Sequence, residues 1–228
     1  MKTIGLIGGM SWESTAHYYR ILNQETAHRL GGLHSAPLLL LSVDFAPIEA
    51  LQRAGKWDQA GTILAGHAKT LADSGAGVLG MASNTMHIVA EQMMEGLSIP
   101  FVHIADPTAD ALLSSGITRA GLLGTRFTME MPFYKDKVKA RGVEVLTPDT
   151  DIGALNAIIY DELCLGVVRN ESRRVYVEAI ALLAKRGAQA VIFGCTEIAM
   201  LISEVDSPLP VFDTTELHAK ALVSAAMI

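Results

Sequence analysis

The stretch Val191-Ile192-Phe193-Gly194-Cys195-Thr196-Glu197-Ile198 decides the fold. An apolar, β-branched run ends at a glycine, a cysteine follows, and a helical pattern begins. That order reads as a buried parallel strand breaking into a helix N-terminus. Ligands of open α/β sheets bind at such strand ends. A thiol held there meets backbone N–H groups and the positive end of a helix dipole, both of which favour the thiolate. The bland alternative, that Cys195 is a small buried hydrophobe, starts at about even odds.

Far upstream the same grammar recurs in Val78-Leu79-Gly80-Met81-Ala82-Ser83-Asn84-Thr85-Met86-His87. Placing Ser83 on Cys195 puts Asn84-Thr85 on Thr196-Glu197. Ile4-Gly5-Leu6-Ile7-Gly8 matches Ala120-Gly121-Leu122-Leu123-Gly124 in the same way, followed by Ser11 and Thr128 respectively. Two copies of one α/β unit follow from this, over residues 1–104 and 105–210, with a C-terminal segment 211–228 returning to the first. A pseudo-twofold relation would point Ser83 and Cys195 into one cleft. The expected fold class is α/β, with two similar doubly wound lobes of mainly parallel sheet.

Composition narrows the function. With 228 residues, 50% hydrophobic and 18% charged, the chain has enough apolar mass for a packed core. A formal charge of −6 without a basic run argues against a nucleic-acid partner. Glycine or charge interrupts every apolar run, so no membrane span is expected, and the N-terminus reads as a first strand rather than a signal peptide. Two cysteines outside any C-x-x-C pair imply a reducing cytoplasm. The seven histidines lack metal-ligand spacing. No nicotinamide or phosphate-loop fingerprint is present, so no cofactor is expected.

In chain order, strands are expected at Thr3–Ile7, Ala36–Val43, Gly77–Met81, Ile99–Ile104, Arg119–Leu123, Gly142–Leu146, Gln189–Phe193 and Val211–Asp213. Helices are expected over Trp12–Leu30, Ile48–Ala54, Ala60–Ser74, Ala105–Ser115, Gly153–Leu165, Arg173–Arg186 and the C-terminus, with Pro148–Asp151 a connection. The turn Gly8-Gly9-Met10-Ser11 reads either as a backbone loop lining a small-ligand site, with Met10 in it, or as a plain tight turn. Arg53 is a candidate carboxylate anchor, weighed against an ordinary solvated arginine. His87 orients the site or simply starts a helix. Cys164 reads as core, with a role flanking the site as the lesser alternative.

Two small proton-carrying side chains on opposite sides of a carbon can remove a proton from one face and return one to the other. Asn84, Thr85, Thr125, Thr128, Thr196 and Glu197 are the candidate groups to hold the substrate and steady developing charge. On Ile4-Gly5-Leu6-Ile7-Gly8-Gly9-Met10-Ser11, Asn84-Thr85-Met86-His87 and Gly194-Cys195-Thr196-Glu197, the chain resembles the aspartate/glutamate racemase family. Through Ser11-Trp12-Glu13-Ser14-Thr15 and Asp161-Glu162-Leu163-Cys164-Leu165-Gly166 it is most similar to the L-aspartate/glutamate-specific type. The resemblance covers essentially the whole chain. It implies a cofactor-independent amino-acid racemase with Ser83 and Cys195 as proton carriers, a small amino-acid substrate and a homodimer. The sequence departs from the typical member at Ser83, where cysteine is usual; the L-specific type has threonine there. It departs again at Cys164, where the two-cysteine aspartate racemases carry a lysine that binds the distal carboxylate. Hydantoin racemase, maleate isomerase and arylmalonate decarboxylase activities remain open within the superfamily, as does a weakly catalytic dicarboxylate-binding protein.

Overall fold

The computed structural model describes residues 1–149 and 151–228. The expected connection Pro148–Asp151 lies outside the described residues at Thr150. The chain divides into two compact units: Met1–His103 with His218–Ile228, and Ile104–Leu217.

In the first unit, β1 (Ile4–Gly8), α1 (Trp12–Leu30), β2 (Leu38–Ser42), α2 (Phe45–Arg53), α3 (Trp57–Asp73) and β3 (Val78–Met81) follow in order. A 3₁₀ turn (Thr85–Val89) and a short α4 (Ala90–Met93) come after. The sheet order is β2-β1-β3, all parallel. β1 and β3 are buried on both faces, which is why they read as continuous apolar runs without alternation. β1 ends in a turn that only glycine can make: Gly9 has φ +90°, and a Cβ there would lie 2.3 Å from the carbonyl oxygen of Val43.

The second unit contains α5 (Ala105–Ser114), β4 (Arg119–Gly124), α6 (Arg126–Glu130), α7 (Pro132–Ala140), β5 (Glu144–Leu146) and α8 (Ile152–Asp161). A 3₁₀ turn (Leu163–Leu165), α9 (Asn170–Lys185), β6 (Ala190–Gly194), α10 (Ile198–Leu201), β7 (Val211–Asp213) and α11 (Thr214–Met227) complete the chain. From His218 onward α11 belongs to the first unit. The sheet order is β5-β4-β6-β7, again parallel. β5-β4-β6 thus repeats the arrangement β2-β1-β3, with the Gly8 and Gly124 strands central in each. The α/β class with parallel sheets is as expected.

Two expectations are corrected. Ile99–Ile104 forms no strand: Phe101 alone bridges Leu79. Leu79 N–H donates to Pro100 O, and Val102 N–H donates to Leu79 O. Proline has no N–H to extend the ladder, and the chain enters α5 at Ala105. The helix expected through Leu165 stops at Asp161, and Cys164 lies in the 3₁₀ turn that follows. The helical patterns read after Ser83 and Cys195 form short helical pieces.

Candidate active site

Each unit presents polar side chains just beyond the C-terminal ends of two adjacent strands, β1 and β3 in the first and β4 and β6 in the second. In the first, Ala82 N–H donates to Ile7 O at 2.8 Å, which carries the pairing of β1 and β3 one residue past the strand. Ser83 follows, 5% exposed, with Asn84 and Thr85 also buried. The Ser83 hydroxyl accepts a 3.4 Å bond from Met86 N–H. Its carbonyl oxygen accepts from His87 Nδ1 at 2.6 Å, which fixes the histidine tautomer with its proton on Nδ1. The facing glycine turn is pinned in turn. Gly9 N–H donates to Thr15 Oγ1 at 2.8 Å, and that hydroxyl donates to Ser11 O at 2.8 Å. Ser11 caps α1 by accepting from Ser14 N–H. Met10 is buried in this turn.

Behind Ser83 lies a set of buried rings, of which sequence reasoning marked His87 alone. His87 packs edge-on against His103, with centroids 4.6 Å apart, and reaches His218 at 5.8 Å. His218 Nε2 bonds to Val102 O and its Nδ1 to the Tyr18 hydroxyl, both at 2.8 Å. The carbonyl can only accept, so Nε2 donates and Nδ1 accepts from the tyrosine. Burial pushes the His218 pKa down to about 4, with the Val102 hydrogen bond a smaller opposing effect.

Arg53 is not gathered with these residues. It ends α2 with its side chain 70% exposed, ion-paired to Glu49 one turn earlier.

In the second unit, Gly124 and Gly194 are register partners on β4 and β6. A Cβ on Gly124 would lie 2.7 Å from Gly194 O, so these two backbones approach as closely as they do only because both residues are glycine. Thr125 and Cys195 each follow one of these glycines. Thr125 caps α6 by accepting from Thr128 N–H at 3.2 Å, and its hydroxyl lies 3.1 Å from that of Thr128. Thr125 therefore has the capping role that Ser11 has in the first unit, one turn earlier than the sequence match to Thr128 suggests.

Cys195 is 6% exposed, and its Sγ–H donates to Glu197 Oε2 at 2.9 Å. Thr196 Oγ1–H donates to the same carboxylate oxygen at 2.8 Å. Burial holds the Cys195 pKa well above its ordinary value, and the Glu197 charge raises it further. The expectation of a resting thiolate is thereby corrected. α10 is only four residues long, and the nearest charge is a carboxylate rather than a cation. Tyr176, which no motif marks, is buried within electrostatic reach of Cys195 and Glu197; burial first, then those charges, raises its hydroxyl pKa. Its O–H donates to Leu155 O. Cys164 is half-buried and, like Cys195, is not in a disulfide.

Among the described residues no three His, Cys, Asp or Glu side chains are grouped so as to hold a metal ion. No described helix is long and apolar enough to cross a membrane.

Each unit thus has a small polar side chain beyond the strand that pairs with its glycine-ended first strand, Ser83 beyond β3 and Cys195 beyond β6, which marks the chain as a duplicated α/β protein. The sequence model of the Asp/Glu/hydantoin racemases matches residues 7–222, and the chain belongs to that family. It is similar to a Yersinia pestis protein of known crystal structure, provisionally assigned as an Asp/Glu racemase: 49% identity, all of both chains covered, TM-score 0.91. It is similar also to an aspartate racemase homologue from Pyrococcus horikoshii OT3, at 33% identity over all of both chains with TM-score 0.85. Among curated proteins it is similar to the broad specificity amino-acid racemase RacX of Bacillus subtilis (strain 168). There the identity is 24% over 158 residues, covering 68% of this chain and 66% of RacX. The chain thus spans just under two thirds of that curated relative.

Proposed function

We propose that the protein is a cofactor-independent racemase of acidic amino acids, an isomerase that exchanges the proton at Cα. In this reading Cys195 removes or returns the proton on the face of the L-enantiomer, and Ser83 serves the face of the D-enantiomer. The observation that carries the reading is the corresponding placement of Ser83 and Cys195, two residues past the end of β3 and one past the end of β6, the equivalent strands of two units that share the order β2-β1-β3 and β5-β4-β6. Family membership supports it.

The chemical difficulty is the low acidity of a Cα–H beside a carboxylate. Hydrogen-bond donors held in a buried setting offset that difficulty, because they stabilise the charge that develops as the proton leaves. Asn84 and Thr85 in the first unit, with Thr125 and Thr128 in the second, are the donors assigned to the substrate carboxylate; the Thr196 hydroxyl joins them only by giving up its bond to Glu197. Met10 lines the site through its turn. Arg53 would reach a distal carboxylate only by leaving Glu49. The hydroxyl of Ser83 is a far weaker base than a thiolate, so its half of the reaction is the slow one.

A homodimer in the cytoplasm belongs to the same proposal. Trp12 and Tyr19 on α1 and Leu40 on the edge strand β2 are 63%, 56% and 43% exposed, which suits a covered face. Two cysteines outside any disulfide suit a reducing compartment. The test is a chiral-chromatography screen of L- and D-amino acids with purified protein and no added cofactor. Racemisation of glutamate or aspartate, lost in Cys195→Ala, is the expected result. Carbon dioxide release from an aryl-substituted malonate without any racemisation would replace this reading with a decarboxylase.

A further inference from the structure

Cys164 takes no part in the reaction described above, yet it stands near the thiol that does. It lies in the 3₁₀ turn Leu163–Leu165 between α8 and α9, and that turn packs against α10, which begins three residues after Cys195. Leu163 and Cys195 belong to one cluster of buried side chains, and Cys164 packs against the same cluster. Each thiol is within electrostatic reach of the other, and Tyr176 is a neighbour of both. Neither is in a disulfide. Their exposure differs. Cys195 is 6% exposed and gives its Sγ–H to Glu197, whereas Cys164 is half-buried. Solvent therefore reaches Cys164 first. An accessible thiol with a second thiol beside it is the arrangement of a sensing and a resolving cysteine.

We propose that Cys164 and Cys195 form an oxidisable pair, in which a hydroperoxide such as hydrogen peroxide oxidises Cys164 to a sulfenic acid and Cys195 closes it to an intramolecular disulfide. That modification removes the thiol assigned to the L-face, so its effect on turnover rests on the racemase reading above. In the first step the Cys164 sulfur attacks one peroxide oxygen. An S–O bond forms, the O–O bond breaks, and the departing hydroxide carries off the Cys164 proton as water. In the second step the Cys195 sulfur attacks the sulfenic sulfur. An S–S bond forms, the S–O bond breaks, and the released hydroxide takes the Cys195 proton as a second water. Each thiol loses one electron and the peroxide gains both. Closure spares the pair from the irreversible sulfinic stage. A dithiol reductant returns both thiols by exchange, and in a reducing compartment a disulfide of this kind is transient.

The test treats the purified full chain with hydrogen peroxide in slight excess, alongside Cys164→Ser and Cys195→Ala. Intact mass, non-reduced peptide maps and racemisation of L-glutamate and L-aspartate are read together. The parent should lose the mass of two hydrogen atoms and yield a cross-linked peptide joining Cys164 to Cys195. Its racemisation should be lost as the cross-link forms and return on adding dithiothreitol. Cys164→Ser should start with the parent's activity, form no cross-link and keep its activity longer in peroxide. In Cys195→Ala, Cys164 should gain one oxygen that dimedone traps. Oxygen added separately to the cysteines of the parent, with no cross-linked peptide, overturns the proposal. A disulfide found only between two chains overturns it equally. Mass and peptide map require no turnover, so a protein that racemises nothing yet forms the cross-link defeats the racemase reading alone.

Discussion

The Nδ1–H of His87 donates to the carbonyl oxygen of Ser83 at 2.6 Å, joining the residue assigned to the D-face to a buried cluster of rings. Ser83 N–H is itself engaged with Met81 O, so both backbone polar groups of Ser83 are held. Replacing His87 by leucine leaves that carbonyl without its imidazole donor, a loss of about 1–3 kcal/mol for a buried polar group. The expected outcome is a lower denaturation midpoint together with a kcat reduced more than KM is raised. Unchanged kcat at reduced stability would confine His87 to a structural role.

His218 gives a pH dependence with a definite sign. Its pKa is depressed to about 4 in the folded protein, against about 6.5 when unfolded. Between those values the unfolded chain binds more protons, so the contribution of neutral His218 is complete above about pH 6.5 and is lost as pH falls towards 4. The size is about 3 kcal/mol, since each tenfold change in proton affinity is worth about 1.4 kcal/mol. Asp213 works oppositely, since burial raises its pKa to about 6: it favours folding at low pH and loses that contribution as pH rises through 6. The whole-protein profile therefore understates each. The stability difference between the parent and His218→Gln isolates the histidine, and it should shrink by about 3 kcal/mol from pH 7 to pH 4 in urea titrations. A difference independent of pH would mean that His218 is not buried neutral.

Cys195→Ala should abolish racemisation and leave the fold in place. The residue is small, and the substitution removes one atom from a buried site already lined by glycine backbone. Circular dichroism matching the parent, with turnover lost, is the expected pair of results. Activity near the parent level would remove Cys195 from the mechanism.

Ser83→Cys should raise kcat/KM for racemisation equally from both enantiomers, and should raise exchange without inversion most visibly for the D-substrate. The position corresponds to that of Cys195, and a thiol is the stronger base. General-base effects span about 10²–10⁴-fold, so a partial gain is measurable by chiral chromatography. A folded variant with equal or lower rates on both enantiomers would count against Ser83 as a proton carrier.

Much of this is legible in the sequence where one residue type has one physical use. The strands β1, β3, β4 and β6 show as apolar runs closed by glycine or a small residue, because strands buried on both faces carry no polar alternation. The duplication shows for the same reason. What stays hidden depends on side-chain direction or on distant partners. α6 and α7 lie in a polar, lysine-bearing stretch with weak periodicity. The Ile99–Ile104 run reads as a strand, yet Pro100 limits it to one bridge. Tyr18 and His218 are 200 positions apart yet share a hydrogen bond. Glu197 reads as a site residue, but that its carboxylate accepts from Cys195 depends on a turn geometry that no spacing rule encodes.

The central claim is that a thiol works one face of Cα and a hydroxyl the other. Enantiomers have equal free energy, so kcat/KM for racemisation must be equal from either side, whatever the residues. Exchange without inversion carries no such constraint. Cys195 can remove the Cα proton of the L-form and return a solvent deuteron to the same face, whereas Ser83 does this poorly for the D-form. Proton NMR in deuterated buffer, on L- and D-glutamate and L- and D-aspartate, measures both processes at once. The account predicts that Cα deuterium enters the L-substrate faster than it racemises, and that the D-substrate exchanges much more slowly without inversion. Equal deuterium entry from both enantiomers, matched to the rate of racemisation, would contradict it.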